Sequence, residues 1–317
     1  MWGGVIQYRP ETAIYLGMFC STWGHVITDN IRRLWFLYTD EFNHEFKNCS
    51  LVYIPIDKKL LTQQKNFRRL LEILEVDVDK IQPITQPTQF ENIILPDSSY
   101  YLDKDDLRKF TGKYRETIER IRSFALKNRV PTSIKKFYYL HGKRQIGEER
   151  IAQYFQSKGY AVILPENLTV DEQLNLMINC KSFASTMGSC AHNSVFLHDG
   201  TETIFIPRNA KYFGSYQTPL NYLRSLKSNY VDATFSIFHE PFCYILGEQL
   251  KRFFGDKFNG YEETDFKIFL QYVRSCMSTG LRINADQVKY YGAVFTDFLA
   301  QLGRRKDLLN AYGITVK

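Results

Sequence analysis

A chain of 317 residues with 44% hydrophobic content, 24 Phe and 21 Tyr carries enough apolar material for two cores, which excludes an intrinsically disordered chain. A formal charge of +7 suits a phosphorylated small molecule, an anionic polymer or an anionic membrane surface, and no basic run with a binding motif points to nucleic acid. Six cysteines without a C-x-x-C pair argue against a zinc site and a disulfide framework. With no apolar run of transmembrane length and no secretory pattern at Met1-Trp2-Gly3-Gly4, a cytoplasmic protein is expected.

The first strand is predicted at Ala13–Phe19, followed by a turn at Cys20–Trp23 and a helix over about His25–Asp40. On a helical wheel Ile27, Ile31, Leu34, Trp35 and Tyr38 share the face that packs on a sheet, while His25, Asp29 and Arg32 share the opposite column. That column is either a set of groups presented to a cleft or a solvated face with an ion pair from Asp29 to Arg32 or Arg33. Strands at Leu51–Ile56 and Glu91–Leu95 flank a helix at Gln64–Leu74, and a long charged helix is predicted over Asp103–Asn128, ending before Pro131. Asp77-Val78-Asp79 matches the metal-holding D-x-D pattern, but beside Lys80 it reads as an ordinary turn. The break at Lys127–Lys135 sets the expected domains: an α/β unit over 1–130, a second over 131–235, and a helical segment over 236–317.

The second unit alternates more legibly. Strands are predicted at Lys136–Leu140, Ala161–Leu164, Ser182–Thr186 and Thr203–Pro207, with helices at Gly147–Lys158 and after the capping box Thr169-Val170-Asp171-Glu172. This pattern is that of a parallel, doubly wound sheet, whose ligands sit beyond the carboxyl ends of the strands. Three loops would meet there: Gly142–Arg144, Pro165–Asn167 and Met187–His192. The turn Met187-Gly188-Ser189 leads into a polar helical turn, Cys190-Ala191-His192-Asn193, whose free amides would make an anion site. Gly188 would let a phosphate approach, and Arg144 would meet it as a bidentate cation. An ordinary strand-to-helix corner explains the same local sequence. Neither a G-x-G-x-x-G fingerprint nor a Walker lysine is present, so dinucleotide and P-loop readings are weak. A last helix at Asp286–Leu302, with Val288, Tyr291, Phe295, Phe298, Leu299 and Leu302 on one face, is expected to bridge back across both domains.

Three motifs resemble glycosyltransferase family 61. They are Trp23-Gly24-His25-x-x-x-Asp29; Arg144-Gln145-Ile146-x-x-Glu149; and Pro165-Glu166-Asn167-Leu168 through Glu172-Gln173, followed by Gly188-x-x-x-x-Asn193-Ser194-Val195-Phe196-Leu197. The flavour is that of the bacterial branch associated with capsule and other surface polysaccharides. The resemblance implies two Rossmann-like domains facing a cleft (a GT-B-like fold), a nucleotide-sugar donor with a UDP-sugar expected, inversion at the anomeric carbon, and no bound metal or other cofactor. It implies a glycan or lipid-linked glycan acceptor, with peripheral association at the inner face of the plasma membrane. Many members carry a histidine just before the turn glycine, where this chain has Met187. On this basis Asp29 is the candidate base, with His25 orienting it or serving as base itself. Lys143, Arg144, Glu166, Gly188, Ser189, Cys190, His192 and Asn193 are the candidate donor-binding residues. A non-catalytic nucleotide- or glycan-binding protein and a sulfo- or phosphotransferase are the alternatives.

Overall fold

The computed structural model describes residues 6–104, 108–141, 145–208 and 216–314. It is a mixed α/β protein built on two parallel sheets. The first sheet has four strands, β1 (Gln7–Phe19), β2 (Ser50–Pro55), β3 (Ile81–Pro83) and β4 (Thr88–Ile94), in the order β3-β2-β1-β4. β1 starts earlier than its apolar pattern announces, because its polar first half, from Gln7↔Thr88 to Thr12↔Asn92, pairs with β4 alone. Its second half, Ala13 to Phe19, pairs with β2 through a bulge at Tyr15/Gly17, where Gly17 takes a φ of 119° open to glycine.

The predicted helix over His25–Asp40 is two elements. α1 (Trp23–Thr28) stops at Asp29, and Asn30–Tyr38 continues as a 3-10 helix. The cause is local: Thr28 Oγ1 donates back to the Gly24 carbonyl at 3.0 Å, and the Asn30 side chain is held by Cys20, accepting from its N–H and donating to its carbonyl. The apolar face survives the break, with Ile27, Ile31 and Leu34 buried and Trp35 and Tyr38 packed at its margin.

After α2 (Lys65–Ile73), the D-x-D stretch is a capped turn in which Asp77 accepts from the Asp79 amide. The long helix predicted from Asp103 begins only at Gly112, as α3 (Gly112–Lys127). The chain before it forms an antiparallel pair, β5 (Tyr100–Leu102) with β6 (Arg108–Phe110), helped by a Lys109–Asp103 ion pair at 2.7 Å. Charged residues here satisfy a hairpin as readily as a helix, and the aromatic pair Tyr100/Phe110 favours the strands.

The second sheet contains β7 (Lys136–Tyr139), β9 (Ala161–Ile163), β10 (Ser182–Thr186), β11 (Glu202–Ile206) and β12 (Lys227–Tyr230), in the order β12-β11-β10-β7-β9. The short β8 (Gln145–Ile146) stands apart and pairs with β13 (Phe242–Cys243). Helices α4 (Glu148–Ser157), α5 (Val170–Asn179) and α6 (Gln217–Leu223) connect the strands, and α5 begins at the predicted Thr169–Glu172 capping box. Every residue of the central β10 is buried, as a strand covered on both faces requires. The polar turn after it is a six-residue 3-10 helix, Ala191–Phe196, rather than the α-helix expected. Helices α7 (Glu248–Phe253), α8 (Glu263–Met277), α9 (Ala285–Gly303) and α10 (Lys306–Ala311) complete the chain.

This helical segment is the one expected to bridge both domains. Its buried core runs from Phe235 to Leu309 and rests on Cys243 of β13, with no residue of the first sheet among its described members. Phe295, Phe298 and Leu302 of α9 close against Phe235 and α8, while Val288 and Leu299 face outward. The two units share one apolar cluster, with Ile14, Phe19 and the α3 residue Tyr114 from one side and Phe137, Phe183 and the 3-10 residue Phe196 from the other. Among the described residues no helix is long and apolar enough to cross a membrane.

Candidate active site

The end of β1 delivers α1 directly onto the turn that follows β10. Gly24 makes this approach possible: a Cβ there would lie 2.8 Å from Ser189 Oγ and 3.1 Å from His192 Cδ2. Trp23 Nε1 donates to Asn193 Oδ1 at 3.2 Å, and Asn193 Nδ2 donates to the Cys190 carbonyl. Asn193 is therefore a latch between the two units, and its polar atoms are engaged inside the protein.

One turn beyond this contact, Asp29 sits in a dense polar knot. Its Oδ2 meets His25 Nδ1 and accepts from Thr28 Oγ1, both at 2.7 Å. Its Oδ1 accepts from the Tyr100 hydroxyl at 2.6 Å and the Tyr216 hydroxyl at 3.1 Å. Burial alone would raise the carboxyl pKa, but the bonds from Tyr100, His25 and Thr28 outweigh it and hold it below its ordinary value. Burial, reinforced by the Asp29 charge, pushes both tyrosine hydroxyls up, so they remain donors. Arg32 reaches Tyr100 at 3.2 Å, and the Arg108 guanidinium lies 4.0 Å over the Tyr216 ring. The His25 side chain is 50% exposed whereas Asp29 is 18% exposed, so the imidazole is the group that faces outward. His192 borders the same knot; its Nδ1 pairs with Gln217 at 3.0 Å, and burial holds its pKa down to about 4, leaving it neutral.

On the far side of the turn, Gly188 takes a φ of 144° and shows its bare face to two basic side chains of the second sheet. A Cβ on Gly188 would lie 3.2 Å from an Arg208 guanidinium nitrogen and 3.8 Å from His141 Cδ2. Arg208 Nε and His141 Nδ1 are both buried without a hydrogen-bond partner. Both residues follow strand ends, β11 and β7, where a parallel sheet presents ligands. The buried Glu148 fixes this corner by accepting from the His141 amide at 3.0 Å, from Tyr138 and from Thr186. Burial and Arg208 push the His141 pKa down. Cys190 is buried and its thiol is pushed up to about 12, so it stays protonated. Glu166 is exposed and close enough for its charge to act on His141 and Cys190.

His25, Asp29, Gly188, Ser189 and His192 thus come together where the two units touch, with Cys190 and Asn193 packed behind the turn. Lys143 and Arg144 lie outside the described residues. Four residues escaped the sequence reading: Tyr100, Tyr216, His141 as a side chain, and Arg208. The tyrosines come from a hairpin and a helix start distant in sequence, and no local pattern marks them. Arg208 was findable, since it directly follows the Pro207 that ends the predicted strand. Among the described residues no three His, Cys, Asp or Glu side chains stand together as metal ligands.

Comparison with known families places this chain, with its parallel sheets and basic groups after the strand ends, among the glycosyltransferases. It belongs to the Glycosyltransferase 61 family, whose model matches residues 23–204, from the first residue of α1 into β11. No curated protein matches the chain.

Proposed function

We propose that this chain is an inverting glycosyltransferase that works without a bound metal, moving a sugar from a nucleotide-sugar donor, a UDP-sugar by preference, to a hydroxyl of a glycan or lipid-linked glycan. The setting we infer is capsule or other surface polysaccharide synthesis, at the cytoplasmic face of the membrane. The two sheets then act as facing Rossmann-like domains of a GT-B-type enzyme, one holding the acceptor and the other the donor.

The observation that carries this reading is the His25–Asp29 pair set across the Gly24–Ser189 contact from the Gly188 turn. Asp29 is ionised, but both oxygens are taken by two partners each, which makes it a poor proton acceptor. It acts instead as the positioning residue, holding His25 by Nδ1 so that the outer ring nitrogen faces the acceptor. That nitrogen takes the proton as the acceptor oxygen bonds to the anomeric carbon from one face. The bond from that carbon to the donor phosphate breaks on the other face, and the nucleoside diphosphate departs with the electron pair. Arg208 balances the charge on the leaving phosphate, His141 and the bare backbone of Gly188 donate hydrogen bonds to it, and Lys143 and Arg144 are further cations in this proposal.

A direct check is calorimetric titration of UDP into the wild-type chain and into Arg208→Ala. Removal of a charged contact to phosphate is expected to weaken binding by roughly 10- to 100-fold. Equal affinities for the two proteins would remove Arg208 from the donor site, and nucleotide binding without transfer over a broad panel of sugars and acceptors would favour a binding protein instead.

A further inference from the structure

Beside the Asp29 knot lies a second cluster of basic and hydroxyl groups that the transfer chemistry does not use. Arg32 and Arg33 stand side by side at the start of the 3-10 helix, and the Nε atoms of both are buried without a hydrogen-bond partner. The hydroxyls of Ser98 and Ser99 are buried and unpartnered as well, and the Ser99 amide donates to the Arg32 carbonyl at 2.9 Å, which brings that segment to the same junction. Among the described residues neither arginine makes an ion pair; Asp97 pulls on Arg33 from beyond ion-pair distance. The guanidinium of Arg32 lies 5.5 Å from the Tyr100 ring centre and that of Arg33 lies 5.8 Å from the Tyr15 ring centre. Between them is the β1 bulge at Gly17, beyond the point where β4 ends its pairing at Ile14↔Ile94.

Two adjacent cations with desolvated, unpaired N–H groups are an unfavourable arrangement for a ligand-free protein. Burial and the neighbouring Arg32 charge push the Arg33 pKa down, which reports the same tension. A bound oxyanion would relieve it, because phosphate or carboxylate oxygens accept from guanidinium N–H groups and from serine hydroxyls together. The cluster is also in the right place: Arg32 donates to Tyr100 at 3.2 Å, and Tyr100 donates to Asp29 at 2.6 Å. It belongs to the same unit as His25, whereas Arg208 and His141 belong to the second sheet.

We propose that Arg32 and Arg33, with Ser98 and Ser99, form a subsite for an oxyanion carried by the acceptor, so that the acceptor is an anionic glycan. The assignment of the anion to the acceptor rests on the transfer reading above. The anion itself is either a phosphate ester or phosphodiester on the acceptor or the carboxylate of a uronic acid, and the experiment separates these sources.

Inorganic phosphate, glucuronate and glucose are titrated by calorimetry into the wild-type chain and into Arg33→Gln, Arg33→Lys and Arg208→Gln. One or both anions bind the wild type and glucose does not; phosphate binding identifies a phosphorylated acceptor and glucuronate binding alone identifies a uronic acid. Arg33→Gln is expected to weaken this anion site about tenfold or more, Arg33→Lys to retain part of it, and Arg208→Gln to leave it in place. The ligand-free melting temperature of Arg33→Gln is expected to equal or exceed that of the wild type, because an uncompensated charge is removed. Anion affinities unchanged in Arg33→Gln, or lost only in Arg208→Gln, would overturn the proposal, as would a lowered melting temperature with anion binding intact. UDP titrated into the same proteins keeps the two readings apart: a wild type that binds the anions at Arg33 but no nucleotide contradicts the donor assignment and not this subsite.

Discussion

His192 shows how a single residue at the junction of the two units ties its charge state to the stability of the fold. In the folded chain burial holds its pKa at about 4, against an ordinary 6.5. Between those values the unfolded chain binds a proton that the folded chain refuses, so stability rises with pH across the window and is lost as pH falls through it. The full effect is on the order of 3 kcal/mol. Urea midpoints measured from pH 7 to pH 4 are expected to fall in the wild type and to fall less in His192→Gln; parallel curves would mean that His192 is not held neutral. Asp29 works in the same direction at lower pH, since its depressed pKa adds stability above the ordinary carboxylate range and gives it up as pH falls toward the folded value. The sequence showed His25, Asp29 and His192 as chemically able residues. It did not show which atoms would already be engaged, because the partners Tyr100, Tyr216 and Gln217 arrive from distant stretches.

Among the elements, α3 does most to join the first unit to the second. Arg224, which is 1% exposed, bonds Glu119 of α3, Asp199 and the Leu197 carbonyl. Arg122 of α3 bonds the Phe196 carbonyl and Glu119, and Arg115 bonds Asp199 at 2.6 Å. Arg224 is buried, but its acids Glu119 and Asp199 are half-exposed and also hold Arg122 and Arg115, so Arg224→Ala is expected to cost roughly 1–3 kcal/mol in denaturant unfolding, chiefly through the lost bonds to the Leu197 carbonyl. A loss below about 1 kcal/mol, the value for an exposed pair, would show that the network is solvated. The same helix illustrates what periodicity misses: its end before Pro131 was visible, but its start was not, because Asp103 to Thr111 carries charges that suit a hairpin as well as a helix. The break in the His25–Asp40 helix is of the same kind. Thr28 and Asn30 redirect the backbone through side-chain bonds that a wheel does not represent.

For the molecule as a whole, the alternation of strands and helices was enough to read parallel sheets, and β10 was legible residue for residue because its small, aromatic and β-branched residues run straight into the Gly188 turn. The way the parts meet was not legible. The C-terminal helices spend their apolar faces on each other, and the two sheets are joined by α3 and by the approach of Gly24 to Ser189, contacts that depend on three-dimensional register. That approach is what lets a His–Asp pair from one unit confront a basic strand-end corner of the other, and the proposed transfer depends on it. The most direct test is the turnover number for sugar transfer by His25→Asn under saturating donor, measured beside its affinity for UDP. Loss of a general base is expected to lower turnover by roughly 10²- to 10⁴-fold with UDP affinity unchanged. Transfer at the wild-type rate would contradict the account.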